Sequence, residues 1–227
     1  MRAFALSVVL VAMLGACGSK VEPPIGAAPA TLSEIDALGA NVAREINLLR
    51  NDPFAYSVRV KAMKSYFRHS PSCEPPADPC RLVLPGEVVI AVTDYQAFDA
   101  QIDDTVEVLR ETEAVRPFAP SRALKAAAQA HADAMGSRST PSHDGDSLRD
   151  RINEYGSAQG RIGEAISFGQ QTAFGVVSAW LVDRNMSDKL HRKLLLDPDM
   201  SALGVACAPS NTHRVACVAT FADSVAE

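Results

Sequence analysis

The stretch LGVACAPSNTHRVACVATF, residues 203–221, decides the fold class. Its two halves, residues 203–208 and 214–221, alternate apolar side chains and are separated by a Pro-Ser-Asn turn. Alternation with a period of two is typical of strands, and a short turn between two such runs indicates an antiparallel hairpin. Cys207 and Cys217 then lie on the apolar faces of neighbouring strands, where a cross-strand disulfide is geometrically accessible.

A third alternating run, Arg161 to Phe168, extends this sheet. Glu164 has the same parity as Ile162 and Ile166, so its side chain points to the side that should be buried. A buried carboxylate is costly unless it is paired, protonated or beside a cleft. Glu164 is therefore either a structural acid bonded to backbone amides or a functional residue whose burial belongs to its role.

Apolar residues recur at three- and four-residue steps outside these runs, which predicts helices. Capping and breaking signals start the predicted helices near Thr31, Asp52, Thr93, Ser121, Leu148, Thr172 and Asp188. The second helix is expected to carry Phe54 and Val58 on its apolar stripe. Helices flanking a small antiparallel sheet imply an α+β layered domain over residues 31–222, followed by a tail at 223–227.

The first thirty residues have the pattern of an export signal and a tether. An apolar run from Ala3 to Ala16 follows Arg2, and it is too short to span a bilayer. It ends in Leu14-Gly15-Ala16-Cys17, which resembles the lipobox of bacterial lipoproteins; an ordinary secretory signal is the alternative. The resemblance implies removal of residues 1–16, a lipid on Cys17 and anchoring to a membrane. Residues 17–30 then form an extended, Pro- and Ala-rich spacer.

That resemblance also predicts where the protein resides. We expect a bacterial cell-envelope protein on the periplasmic face. Gly18 stands where an aspartate would favour retention in the inner membrane, so the outer membrane is favoured.

Cysteine content and charge narrow the classes of protein further. Apart from Cys17, four cysteines allow three pairings, and spacing favours Cys73 with Cys80 and Cys207 with Cys217. We interpret them as structural disulfides of an oxidising compartment, the first pinning an irregular excursion at about 70–86. The net charge of −5, without a basic block, excludes nucleic acid as the expected partner.

Two of the five histidines stand out by context. His143 lies in a polar loop between helices, and His191 begins the apolar face of the last helix. His131, on the apolar stripe of its own helix, is expected to be a packed core residue. Two imidazoles together with Glu164 could bind zinc or transfer protons, although the spacing alone does not show that they converge.

Short motifs in one order along the chain resemble the CAP superfamily, also called the SCP-like extracellular domain. They are Glu45-Ile46-Asn47 with Arg50 and Pro53, Leu124 with Ala127, Ala128 and His131, His143 with Gly145, Arg151-Ile152 with Tyr155-Gly156, Gly163-Glu164 with Ile166, and His191-Arg192 before Leu194-Leu195 and Leu203-Gly204-Val205. The resemblance covers about residues 31–222. It implies an α-β-α sandwich with a small antiparallel sheet between helices.

The resemblance also implies a central cleft lined by two histidines and two acids. His143, Glu164 and His191 match three of these positions. The fourth belongs to a Trp-x-x-Glu motif, and this chain has Asp183 there, one methylene shorter. We call His143, Glu164, Asp183 and His191 the tetrad. Some members of the superfamily bind a divalent metal through the two histidines, and others bind sterols or fatty acids.

Three functions follow as hypotheses. The first is a lipid-anchored binding module whose cleft takes Zn²⁺ or another divalent cation, a small lipid or a peptide. The second is a metal-assisted hydrolase or protease of the cell envelope, with His143 and His191 holding the metal and Glu164 as general base. The third is a structural interaction domain. Against the second, two histidines and one distal acid are a small ligand set for zinc.

Overall fold

The structure is a computed structural model that describes residues 31–68, 80–138, 142–143, 147–184 and 186–227. The predicted signal, Cys17, the spacer and Cys73 lie outside the described residues. None of the helices in the described part of the chain is long and apolar enough to cross a membrane.

The described residues form seven α-helices close to the predicted positions. Their bounds are α1 Leu32–Asn51, α2 Pro53–Ala62, α3 Tyr95–Glu111, α4 Arg122–Met135, α5 Leu148–Asn153, α6 Ala173–Val182 and α7 Leu190–Leu196. Thr31 and Glu34 form the expected capping box of α1, and Pro53 follows the N-cap Asp52 of α2. For α3 the cap is Asp94, whose carboxylate accepts from Ala97 N–H at 2.8 Å, and not Thr93.

A four-stranded sheet lies at the centre, in the order β4-β6-β7-β5. Its strands are β4 Ala119–Pro120, β5 Ser157–Phe168, β6 Ala202–Ser210 and β7 Arg214–Ala226. The β6–β7 hairpin and the β5–β7 pair are antiparallel, and the short β4 is parallel to β6. The predicted hairpin is therefore confirmed. β7 runs to Ala226, through most of the expected tail.

Helices cover both faces of this sheet. On one face, Leu203 and Val205 of β6 belong to the large core formed with α1 and α6. On the other face, Ala206 of β6 packs against Ala128 and Ala132 of α4. Alternate residues of β6 thus belong to two different cores, one on each face of the sheet. The predicted α+β class, with the sheet between helices, is confirmed.

The excursion near residue 80 is more regular than expected. Phe67–Arg68, Cys80–Leu82 and Ile90–Val92 are strands β1, β2 and β3 of a small antiparallel sheet. Phe67 packs edge-on against Phe98 of α3, with ring centroids 5.5 Å apart. We call residues 80–92 the inserted segment. Strands of two or three residues are too short to show alternation, so no strand was predicted in this segment.

The disulfide between Cys207 and Cys217 joins β6 to β7, as predicted. Cys80 is buried and disulfide-bonded, whereas the predicted partner Cys73 lies outside the described residues. One prediction about α2 is wrong: Phe54 and Val58 are exposed, and the helix buries Tyr56 and Val60 instead. The two apolar rows of this short helix are similar in hydrophobicity, so periodicity alone selected the wrong face.

Candidate functional site

A cavity of about 580 Å³ lies beside the edge strand β5, between α6 and the inserted segment. Three members of the tetrad line it: His143, Asp183 and His191. Glu164 is not among the lining residues, and it contacts His143 from within the fold. The structure thus brings three separate segments to one cavity, with the fourth member directly behind the wall.

Glu164 is buried on β5, as expected, and its side chain is 3% exposed; the neighbours of opposite parity, Ala165 and Ser167, are buried as well, because helices cover both faces of the sheet. Oε1 accepts a hydrogen bond from His143 Nδ1 at 2.9 Å, and Oε2 accepts one from Arg151 Nη2. Burial raises the pKa of this carboxyl, but the His143 hydrogen bond and the charges of His131 and Arg151 outweigh burial, and the pKa is lowered. Glu164 is therefore an ionised, paired carboxylate.

Arg151 was named from the sequence only as part of a motif, and its pairing with Glu164 was not predicted. It lies on α5, is buried, and forms the ion pair with Glu164. A buried arginine is rare unless it is paired, and a carboxylate expected to be buried requires a cation or donors nearby. The signal available in the sequence was the predicted burial of Glu164, which implies a cationic partner such as an arginine.

His131 is buried in α4, as expected, but it also takes part in the site. Its Nε2 lies 3.0 Å from the carbonyl oxygen of Ser142 and 3.5 Å from Glu164 Oε1. A carbonyl only accepts, so Nε2 carries the proton and donates. Burial lowers the pKa of His131, against the opposing charge of Glu164. The hydrogen bond thereby ties the residue before His143 to α4.

Asp183 and His191 form the second acid–histidine pair. Asp183 ends α6 in the left-handed conformation, with φ of 49°, which Asp tolerates better than most residues. Its Oδ1 accepts from His191 Nδ1 at 2.9 Å and its Oδ2 accepts from the His191 backbone N–H at 3.0 Å. One short carboxylate therefore orients the imidazole and ties α7 to the end of α6.

The two histidines are held in the same way. In each, Nδ1 donates to a carboxylate oxygen, which leaves Nε2 as the ring nitrogen available to a ligand. Imidazoles that bind metals are commonly oriented through such a hydrogen bond. The side chain of His143 is 58% exposed and that of His191 is 16% exposed. Both rings therefore remain accessible to a ligand in the cavity.

The fit to a divalent cation is partial. Zinc in proteins takes three or four protein ligands. The parts of the chain that the structure describes contain no group of three or more His, Cys, Asp or Glu side chains placed to hold a metal ion. Two histidines line the cavity, so a cation bound there would need water or a bound ligand at its other coordination positions.

The cavity has further lining groups that the sequence did not indicate. His213, which is not among the histidines singled out from the sequence, lines the cavity and stacks on Phe168 with ring centroids 5.0 Å apart. Glu87 of the inserted segment and Ser178 of α6 also line the cavity. Nothing in the local sequence marks either one, because each reaches the cavity only through tertiary packing.

Comparison with solved structures gives matches to bacterial proteins at low identity. An extracellular protein containing a SCP domain from Bacillus anthracis is 22% identical over 56% of this chain and 39% of its own, with a TM-score of 0.39. An outer surface protein from Borrelia burgdorferi is 20% identical over 56% of this chain and 92% of its own, with a TM-score of 0.42. A cysteine-rich secretory protein from Staphylococcus aureus is 14% identical over 60% of this chain and 41% of its own, with a TM-score of 0.39.

The sequence comparisons differ in outcome. No curated protein matches the chain significantly. The family model of CAP, the cysteine-rich secretory protein family, matches residues 104–221. The matched region is more than half of the chain, and it contains α4 to β6 and all four members of the tetrad. With this match, the order of motifs and the observed α+β fold lead to one assignment: the chain belongs to the cysteine-rich secretory protein (CAP) family.

Proposed function

We propose that this CAP protein is a lipid-anchored, extracytoplasmic binding module whose cavity takes a ligand at His143 and His191. The observation that carries the proposal is that two histidines line one cavity, each held at Nδ1 by its own carboxylate. Burying two carboxylates to orient two rings costs free energy, because each must be desolvated. A binding role for the rings accounts for that arrangement.

The ligand contacted by the rings is a divalent cation, a small lipid or a peptide. For a cation such as Zn²⁺, the two Nε2 atoms act as ligands, and Glu164 and Asp183 keep the rings oriented. Such an ion would polarise a ligand group bound beside it. With two protein ligands it is held weakly and exchanges readily, so we expect affinity well below that of structural zinc.

The alternative, a metal-assisted hydrolase with Glu164 as general base, receives less support. A general base needs an oxygen directed at a water or substrate within hydrogen-bond reach. Both oxygens of Glu164 already accept hydrogen bonds, the side chain is buried, and its pKa is lowered. These properties suit a carboxylate that positions His143.

The location of the protein is part of the proposal. Cys17 carries the lipid, residues 18–30 act as the tether, and the domain is displayed at the cell envelope, most favourably at the outer membrane. Assignment to a secretory protein family agrees with export, and a structural disulfide between Cys207 and Cys217 agrees with an oxidising compartment.

Calorimetric titration of the purified protein with Zn²⁺ tests the cavity. We expect binding to be lost in the double variant His143→Ala/His191→Ala, and Asp183→Asn to weaken it about 10- to 100-fold. His213→Ala is the matched control, because His213 lines the same cavity but stacks on Phe168 and is not one of the two proposed ligands. Equal zinc affinity in the double variant and the wild type would contradict a metal ligand role for the histidines.

A further inference from the structure

In the described part of the chain, the outer edge of β5 has no neighbouring strand. β5 stands last in the order β4-β6-β7-β5, so only its other edge is paired. Gly169 N–H donates to Val215 O at 2.9 Å, which continues the ladder between β5 and β7. Main-chain groups of neighbouring strand residues point in opposite directions, so the even-numbered residues Ile166 and Phe168 direct their N–H and C=O groups away from β7.

The contacts at this edge show that it is only partly satisfied. Trp180 of α6 donates from Nε1 to Ile166 O at 3.0 Å, as expected for a carbonyl that points away from β7. The N–H groups of Ile166 and Phe168 have no acceptor among the residues that the structure describes. Ile166 is buried and Phe168 is half-buried, and main-chain donors in such places are nearly always paired. These two donors are therefore available to a ligand.

The cavity lies along this same edge. Three consecutive residues of β5 line it: Ile166, Ser167 and Phe168. Consecutive side chains of a strand point to opposite faces, and in β5 Ala165 belongs to the core with α6 while Ile166 belongs to the core with α4. A cavity that reaches both faces of β5 passes around its open edge, because the other edge is paired with β7. The two unpaired N–H groups therefore face the cavity.

An extended polypeptide presents the complementary groups at the same interval. Residues two apart in a strand are separated by about 7 Å, and an extended peptide directs one N–H and one C=O to the same side at each such step. Peptides are commonly recognised by adding a strand to an open sheet edge. Here Phe168 can bond through both its N–H and its C=O, whereas Ile166 contributes its N–H, because Trp180 already donates to its carbonyl.

The walls of the cavity favour a single peptide segment over a second copy of this chain. The cavity lies between α6 and the inserted segment, and its volume is about 580 Å³. One extended segment fits between these walls, whereas the sheet edge of a second folded domain would collide with them. Leu82, Leu84 and Ile90 line the cavity from the inserted segment, and Ala179 and Val182 line it from α6. We therefore expect apolar side chains on the peptide.

We propose that the cavity binds an extended peptide with apolar side chains, which adds a strand to β5 by pairing with the main chain of Ile166 and Phe168. This inference rests on the proposed binding function of the same cavity. It selects one class of ligand and names the main-chain groups that recognise it.

Amide hydrogen exchange of the purified full-length protein, measured by NMR, reports on this edge directly. The probe is the capped pentapeptide acetyl-Ala-Val-Ala-Val-Ala-amide. Without it, the N–H groups of Ile166 and Phe168 should exchange faster than those of Ala165 and Ser167, which bond to β7. An excess of the peptide should slow exchange at Ile166 and Phe168 at least about tenfold. Unchanged exchange at both residues overturns the inference.

N-methylated forms of the probe separate main-chain pairing from apolar contact. Methylation of every amide removes the peptide's donors and prevents close approach of a strand, but it adds apolar surface. In calorimetric titration the fully methylated peptide should bind at least about tenfold more weakly than the unmodified one. Methylation of alternate amides leaves one side of the peptide intact and should preserve binding. Equal affinity of the unmodified and fully methylated peptides overturns the inference.

Two variants of Phe168 test the protein's side of the pairing. Phe168→Pro removes the outward N–H, and proline is tolerated on an edge strand at such a position. Phe168→Val is the matched control, because it also removes the ring but keeps the N–H. With both variants shown to be folded by circular dichroism, the peptide should bind about three- to tenfold more weakly to Phe168→Pro than to Phe168→Val. Equal affinities overturn the inference. A wild-type dimer in sedimentation that Phe168→Pro dissociates also overturns it, because the edge would then belong to a second copy.

The zinc titration separates this inference from the function on which it rests. If the peptide does not bind while zinc binding depends on His143 and His191, only the proposed ligand class is overturned. If neither probe binds, the binding function of the cavity fails as well.

Discussion

Replacing Arg151 by methionine tests whether the ion pair behind the cavity holds Glu164 in place. Arg151→Met keeps a long aliphatic side chain of similar shape and removes the cation. Glu164 then remains buried at 3% exposure with hydrogen bonding from His143 alone and His131 nearby at 3.5 Å. The structure therefore predicts a large loss of stability from a substitution that leaves the cavity lining unchanged.

The magnitude follows from the burial of both partners. The side chains of Arg151 and Glu164 are 9% and 3% exposed, so solvent screens the pair little. Breaking a buried ion pair by removing one partner costs about 3–5 kcal/mol. With an m-value of about 2–3 kcal/mol per molar urea, the unfolding midpoint should fall by about 1–2.5 M.

The effect should depend on pH in a defined direction. The pKa of Glu164 is lowered in the fold from an ordinary value of 4.5, so its pairing stabilises the protein above that value. This stabilisation is lost as the pH falls through the folded-state pKa. Without Arg151 the folded-state pKa of Glu164 is higher, because one of the charges that lower it is lost. The difference in stability between wild type and variant should be largest near neutral pH and narrow below about pH 4.

Urea unfolding followed by circular dichroism at several pH values measures both effects. Arg122→Met is the control: Arg122 is 92% exposed and pairs with Glu227 at the surface, so its loss should cost less than about 1 kcal/mol. The double variant Arg151→Met/Glu164→Gln should recover part of the stability. A loss in Arg151→Met no larger than that of the control, without pH dependence, would refute this account of the pair.

Two further predictions concern the sheet. Cys207→Ala combined with Cys217→Ala opens a loop with a sequence separation of 10 and should cost about 2–3 kcal/mol in urea unfolding; an unchanged midpoint would show that the hairpin needs no covalent link. In Gly204→Ala the new methyl group meets the backbone of Lys125 in α4, so thermal unfolding should reveal a loss of about 3 kcal/mol. Gly39→Ala, with ordinary contacts only, should be tolerated, and equal effects would contradict this reasoning.

The central sheet could be predicted from the sequence because the alternation of apolar side chains along each strand is a local property. The alternation in residues 203–208 and 214–221 reports which side chains face a core, and the hairpin turn joins neighbours in sequence. Glu164 was identified by the same local parity. The small sheet of the inserted segment was missed because its strands are two or three residues long, too short to display a period.

The partners of the site residues could not be read from the chain in the same way. Arg151 is 13 residues from Glu164 in sequence, and Glu87 reaches the start of α6 across a separation of 84 residues or more. Such contacts are set by how layers pack, which periodicity does not report. The resemblance to the CAP superfamily supplied the tetrad positions, but it did not supply the cation that neutralises Glu164.

Asp183 shows why a departure from a family pattern need not mean a lost site. A glutamate at this position has one more methylene than the distance to His191 requires in the observed geometry. Because α6 ends at Asp183 in the left-handed conformation, the short carboxylate reaches both the backbone N–H and Nδ1 of His191. The left-handed end of α6 places the carboxylate near α7, and the short side chain of Asp183 then makes both contacts to His191. Judged by contacts rather than by side-chain identity, the second acid–histidine pair is complete.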